Sequence, residues 1–143
     1  MIRLILAAAL LALAAVPAFA QVNVSYHQSS IPFVAVGYEF DRLAPEIRLS
    51  TDVYTDDSFS VEAVLPYKFL RREDYFLDAG LGARIGDFDG VVVPVGLSVY
   101  PFEKKQFGFH TEVALLSNVG GDLNPILRGS WGITFRFAER AAE

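Results

Sequence analysis

The sequence predicts an all-β protein, an eight-stranded antiparallel up-and-down transmembrane β-barrel with a lumen filled by polar side chains. Three observations predict it. After residue 20 there is no helical period of useful length, but eight segments alternate with period 2 between turn residues. The apolar face of these segments holds far more bulk than the interior of eight strands can take. The opposite face carries nearly balanced charges among small residues, which suits a packed interior.

The chain has 143 residues and no cysteine, so disulfide, thiolate-metal and thiol chemistry are excluded. It opens with Arg3, an apolar run from Leu4 to Val16, and Pro17-Ala18-Phe19-Ala20. That is the pattern of a secretory signal peptide over residues 1–20, with Ala18 and Ala20 as the small residues of the cleavage site. The run is also short for a spanning helix, which needs about 20 apolar residues. Cleavage would leave a mature chain of 123 residues beginning at Gln21, one barrel domain over 21–137 and a short polar tail over 138–143. Losing Arg3 leaves 11 bases against 17 acids, a net charge of −6. With this acidic balance and no basic stripe, nucleic acid is not expected as a partner.

The strands are predicted at Gln21–His27, Ile31–Asp41, Pro45–Tyr54, Ser58–Leu70, Asp74–Gly86, Gly90–Phe102, Gln106–Ser117 and Pro125–Phe137. Most are about ten residues or a little longer, enough for a tilted strand to cross a bilayer. The connectors between them carry the Asp, Asn, Ser and Gly of turns, and none is long enough for a plug, lid or adhesin.

Successive strand side chains face opposite ways. One face, running through Val22-x-Val24-x-Tyr26, Val34-x-Val36-x-Tyr38, Leu77-x-Ala79-x-Leu81 and Val91-x-Val93-x-Val95, carries no charge. The other carries Glu39, Glu46, Arg48, Asp52, Glu62, Lys68, Asp78, Arg84, His110, Glu112, Arg128 and Arg136, which is six acids, five bases and one histidine. Gly80, Gly82, Gly96, Ser98, Ser130 and similar small residues lie among them. A soluble lipocalin-like barrel binding a small apolar ligand would put the first face inside; a membrane barrel puts the second inside. Bulk and charge balance favour the membrane barrel. Its lumen should then be a polar network too full for a solute pore.

Aromatics cluster where strands meet the side on which the chain enters and leaves: Tyr38, Phe40, Tyr67, Phe69, Tyr75, Phe76, Tyr100, Phe102, Phe107, Phe109, Phe135 and Phe137. They are expected to form a belt at one membrane–water boundary, with a sparser set, Tyr26, Phe33, Tyr54, Phe59 and Phe88, at the other. The turns sort by charge too: Arg42, Arg71, Arg72, Lys104 and Lys105 on the first side, Asp56, Asp57, Asp87, Asp89 and Asp122 on the second.

The sharpest chemical constellation is His110-x-Glu112, with Ser98 or Ser130 as a possible neighbour. Serine, histidine and an acid can form a nucleophilic triad. The simpler reading is that both belong to the internal network, so no catalytic residue is assigned. No metal or cofactor is expected, since His27 lacks a ligand-spaced partner.

The last strand carries a resemblance. Ser130-x-Gly132-x-x-Phe135-x-Phe137 is similar to the C-terminal insertion signal of bacterial outer-membrane β-barrels, although here six further residues follow the last aromatic. With the export signal, the eight alternating strands and the Tyr100-Pro101-Phe102-Glu103-Lys104-Lys105 turn, the chain resembles small eight-stranded barrels of the OmpA/OmpX type. It is most similar to the short-looped Bacteroidetes forms. The resemblance implies a Gram-negative outer membrane, monomeric state, contact with outer-membrane lipid and lipopolysaccharide, and handling by periplasmic chaperones and the outer-membrane assembly machinery. It implies a structural or surface-interaction role. A third possibility is a lipid-modifying enzyme, as in lipid A deacylases; that family places His two residues before Ser, whereas here Glu112 follows His110.

Overall fold

The computed structural model describes residues 21–51, 59–86, 89–119 and 124–137. The proposed signal peptide with Ala18 and Ala20, the acid Asp52, the turn acids Asp56, Asp57, Asp87 and Asp122, the aromatics Tyr54 and Phe88, and the tail lie outside these residues. Eight strands form one closed sheet: β1 (Gln21–Gln28), β2 (Phe33–Glu39), β3 (Glu46–Thr51), β4 (Phe59–Arg71), β5 (Tyr75–Ile85), β6 (Gly90–Val99), β7 (Phe107–Asn118) and β8 (Ile126–Arg136). Each strand pairs antiparallel with its sequence neighbours, and β1 closes on β8. No edge is left to template aggregation. We call the end holding Gln21 and Phe137 the terminal end, and the opposite one the distal end.

The predicted segments match the strands to within a few residues, and the differences have local causes. β6 stops at Val99, not Phe102, because Pro101 cannot extend a ladder and the chain turns at Phe102–Lys105. Lys105 takes a left-handed conformation there (φ 50°), held by its Nζ donating to the Tyr100 carbonyl at 3.0 Å and pairing with Asp74. β3 begins at Glu46 after Pro45. In β4 a bulge at Phe69, between the pairs Lys68↔Asp78 and Leu70↔Leu77, sends Phe69 and Leu70 to the same side.

Inside and outside are inverted relative to a water-soluble protein. Leu81, Trp131 and Leu127 on the outer face are 63%, 64% and 70% exposed, while Arg48, Glu62 and Arg128 inside are at most 1% exposed. An apolar exterior around a charged interior is what a bilayer demands. The interior thus holds ion pairs where a lipocalin-like barrel would hold an apolar cavity.

The aromatic belt needs correcting. Phe33, Phe76 and Tyr100 do not face the membrane; Phe33 and Tyr100 are 1% and 3% exposed and point into the lumen. Phe76 stacks on Tyr100 with ring centroids 6.2 Å apart. Phe33 shares its parity with Ala35 and Glu39, Phe76 with Asp78, and Tyr100 with Ser98, and parity decides the face. Tyr67, Phe69, Phe102, Phe109, Phe135 and Phe137 remain outside and near the terminal end.

Candidate functional site in the barrel lumen

Strand register brings the lumen residues into rows. Arg84, Glu62, Arg48, Ala35, Ser25 and Thr134 are directly opposite one another from β5 round to β8. A second row runs Ser98, His110, Gly132, His27, Phe33, Ser50 and Ser60. Gly132 sits between two histidines in that row, and a Cβ on it would meet the Tyr26 carbonyl oxygen at 2.0 Å. The glycine of the C-terminal motif is therefore required by close packing of β8 on β1.

The centre of the lumen is a five-strand ion network. Arg48 grips Glu112 with its two terminal guanidinium nitrogens, Nη1 and Nη2, at 2.7 and 2.6 Å, and donates from Nε to Glu46 at 2.5 Å. Arg128 grips Glu62 the same way, at 2.6 and 3.1 Å. Arg84 donates to Glu62 at 2.7 Å and to Ser60 and Ser50 at 3.0 and 3.3 Å. Two-point forks between a rigid guanidinium and a carboxylate are the strongest and most directional of such contacts. Three arginines balance Glu46, Glu62 and Glu112, so the desolvation cost of each charge is offset by a partner. Phe33 is the post of this network. The guanidinium carbons of Arg48 and Arg128 lie 4.8 and 4.6 Å from its ring centre, and His27 stacks on it at 4.3 Å.

A second cluster closes the terminal end. Glu39 accepts from Lys68 at 2.8 Å and from Arg136 at 2.7 Å. Arg136 covers the Tyr100 ring at 3.5 Å and Lys68 covers Phe76 at 4.4 Å. Near the distal end, on β6 and β7, Val92, Ala114 and Leu116 form a fully buried apolar cluster. Sequence reading missed Val92 and Leu116 as lumen residues, although Val92 has the parity of Gly96, and Leu116 that of Glu112.

Between the two ion clusters lies a cavity of about 40 Å3 lined by His27, Asp78, Ser98, His110 and Glu112 among others. It has room for a few waters and nothing larger. Ser98 and His110 Nδ1 are hydrogen-bonded at 2.7 Å, and His110 Nε2 lies 3.4 Å from Glu112. So the structure brings Ser98, and not Ser130, to His110. Asp78 makes no ion pair among the described residues and faces this cavity. Gly96 leaves the space that the His110 ring occupies, since a Cβ there would come within 2.7 Å of it. No group of residues among those described is arranged to hold a metal.

Every described member of the predicted network points inward: Glu39, Glu46, Arg48, Glu62, Lys68, Asp78, Arg84, His110, Glu112, Arg128 and Arg136. Of the C-terminal motif, Ser130 and Gly132 face the lumen and Phe135 and Phe137 the outside.

No family model and no curated protein matches the chain. Solved structures share its fold, among them two small barrels. The N-terminal β-barrel domain of Pseudomonas aeruginosa OprF superposes with a TM-score of 0.57 at 14% identity, covering 82% of this chain and 96% of that one. Neisserial surface protein A superposes with a TM-score of 0.51 at 17% identity, covering 82% and 94%. The chain is an eight-stranded, closed, antiparallel up-and-down β-barrel. At these identities the likeness establishes the fold, and the arrangement of lumen residues must be argued from this chain alone.

Proposed function

We propose that the protein is a non-enzymatic barrel of the bacterial outer membrane, with a structural or surface-interaction role and a lumen closed to solutes. The observation that carries this reading is the pair of two-point contacts, Arg48 to Glu112 and Arg128 to Glu62, which tie opposite walls across the interior. Barrels of this strand number are filled by side chains, whereas open solute channels need about sixteen strands. The structural likeness to small barrels points to the bacterial outer membrane. On this reading Gln21 and Phe137 lie at the periplasmic end, residues 1–20 direct export, and Ser130, Gly132, Phe135 and Phe137 are read by the assembly machinery. Outer-membrane lipid is the partner the apolar wall requires.

Liposomes carrying the purified barrel test closure. They should not swell in a gradient of a small sugar; swelling at a rate above protein-free liposomes would refute the closed lumen.

The contact of Ser98 with His110 favours one other reading, a lipid-modifying enzyme. Three features weigh against it. The serine is buried, the cavity beside it has no room for an acyl ester, and Glu112 is committed to Arg48. A lipid A mass profile altered by the wild-type gene and not by a Ser98→Ala copy would favour the enzyme.

A further inference from the structure

A wide recess lies on the outside of the barrel, not in the lumen. It is an open groove of about 520 Å3 on the outer wall over β3, within the ~300–1,000 Å3 range of ligand sites. Its floor is Pro45 and Ala63, and its banks are Tyr38 and Phe40 on one side and Leu65 and Leu81 on the other. Glu46 and Val64, whose side chains turn toward the lumen, are also reached from it, so the recess goes down to the strand backbones. The cause is local sequence. Pro45 and Ala63 put two short side chains where neighbouring strands carry Tyr38 and Leu65. The register Glu46↔Val64 and the bridge Leu43↔Tyr67 hold these strands side by side.

The groove runs toward a basic rim. Phe40 lines it and directly precedes the Asp41-Arg42 turn, whose Leu43 carbonyl accepts from Phe40 at 2.8 Å. Arg71 of the neighbouring turn pairs with Asp41 and so joins the two turns. That leaves Arg42 and Arg72, both exposed, each with a single contact to a backbone carbonyl, Lys68 at 3.3 Å and Arg71 at 3.4 Å. Glu73 and Asp74 are also exposed on this stretch of rim, and Asp74 is paired with Lys105. An apolar slot whose lining reaches Phe40, two residues before Arg42 and next to the turn joined to it by the Arg71–Asp41 pair, matches one chemistry: a long acyl chain attached to a phosphate. Basic clusters at a membrane face select anionic lipid headgroups.

We propose that this groove seats an acyl chain of one anionic phospholipid of the periplasmic leaflet, with Arg42 and Arg72 holding its phosphate. The inference rests on the membrane orientation proposed above. The recess distinguishes this patch from the general lipid contact of the wall, and the arginines distinguish an anionic headgroup from a zwitterionic one.

The test uses tryptophan quenching by brominated acyl chains. The full barrel, with Trp131→Phe to remove the native signal, carries Leu65→Trp in the groove or Val95→Trp on the opposite wall. Each is refolded into phosphatidylcholine vesicles doped with an equal fraction of brominated phosphatidylglycerol or brominated phosphatidylcholine. At Leu65→Trp, phosphatidylglycerol should be enriched over phosphatidylcholine by about fivefold for each engaged arginine. At Val95→Trp the two lipids should quench alike. Arg42→Gln with Arg72→Gln should return the groove to parity, and Ala63→Phe should exclude both lipids from it in a barrel that still resists cold SDS. Equal quenching at both positions overturns the groove site and leaves the membrane barrel standing. So does an enrichment that survives loss of both arginines. No quenching at Val95→Trp by either lipid overturns the membrane orientation and the groove with it.

Discussion

The two faces of the same eight strands follow opposite rules. On the outer face, contacts are interchangeable: one apolar side chain lies next to another, and in the proposed membrane setting lipid completes the packing. On the inner face, contacts are specific: Glu62 takes the two-point grip of Arg128 and a bond from Arg84, and Glu112 takes the two-point grip of Arg48. A wall of this kind tolerates exchange outside and punishes it inside, even though both faces are built from alternate residues of each strand.

Breaking that contrast should therefore cost most in the lumen. Glu62→Ala removes the nearest carboxylate from two buried guanidiniums, those of Arg84 and Arg128, and should lower barrel stability by about 3–5 kcal/mol, read as a shift in the urea midpoint of refolded protein. Next comes polarity placed on the wrong face. Leu81→Arg or Val95→Arg, mid-wall in lipid, should cost about 2–4 kcal/mol in the same assay. Ser98→Arg, on the inner face beside Asp78, should give a different cost, and equal costs at both faces would contradict the face assignment. Phe33→Leu keeps an apolar side chain but loses the ring under Arg48 and Arg128, and should cost about 1–2 kcal/mol. The smallest effect is expected at Arg71→Ala. Its pair with Asp41 is solvent-exposed, and the change should fall within about 1 kcal/mol.

Much of this contrast is written in residue parity. Counting by two along β7, Gly108, His110, Glu112, Ala114 and Leu116 all go inside, and the structure puts them there. Where another cue overruled parity the reading went astray: aromatics near strand ends were assigned to a membrane belt, and Phe33, Phe76 and Tyr100 turn inward as their parity dictates. Parity itself breaks at the Phe69 bulge. What parity cannot give is height along the barrel axis. Arg48 and Glu112 are 64 residues apart and on strands that do not pair. Their meeting depends on the stagger accumulated around the closed sheet, which no local pattern encodes. The choice of Ser98 over Ser130 beside His110 is set by the register of β7 with its two neighbours, which puts Ser98 opposite His110 and Ser130 opposite Glu112. The groove over β3 was illegible for a different reason: it is an absence, made by Pro45 and Ala63 being short beside Tyr38 and Leu65.

The central claim is that the charged face is inside and the apolar face is in lipid. Electrophoretic mobility of the protein extracted from the outer-membrane fraction, unheated against boiled in SDS, tests it most directly. A closed barrel with this orientation should remain compact in cold SDS and shift on boiling. Recovery in the soluble periplasmic fraction, with the same mobility before and after boiling, would contradict it.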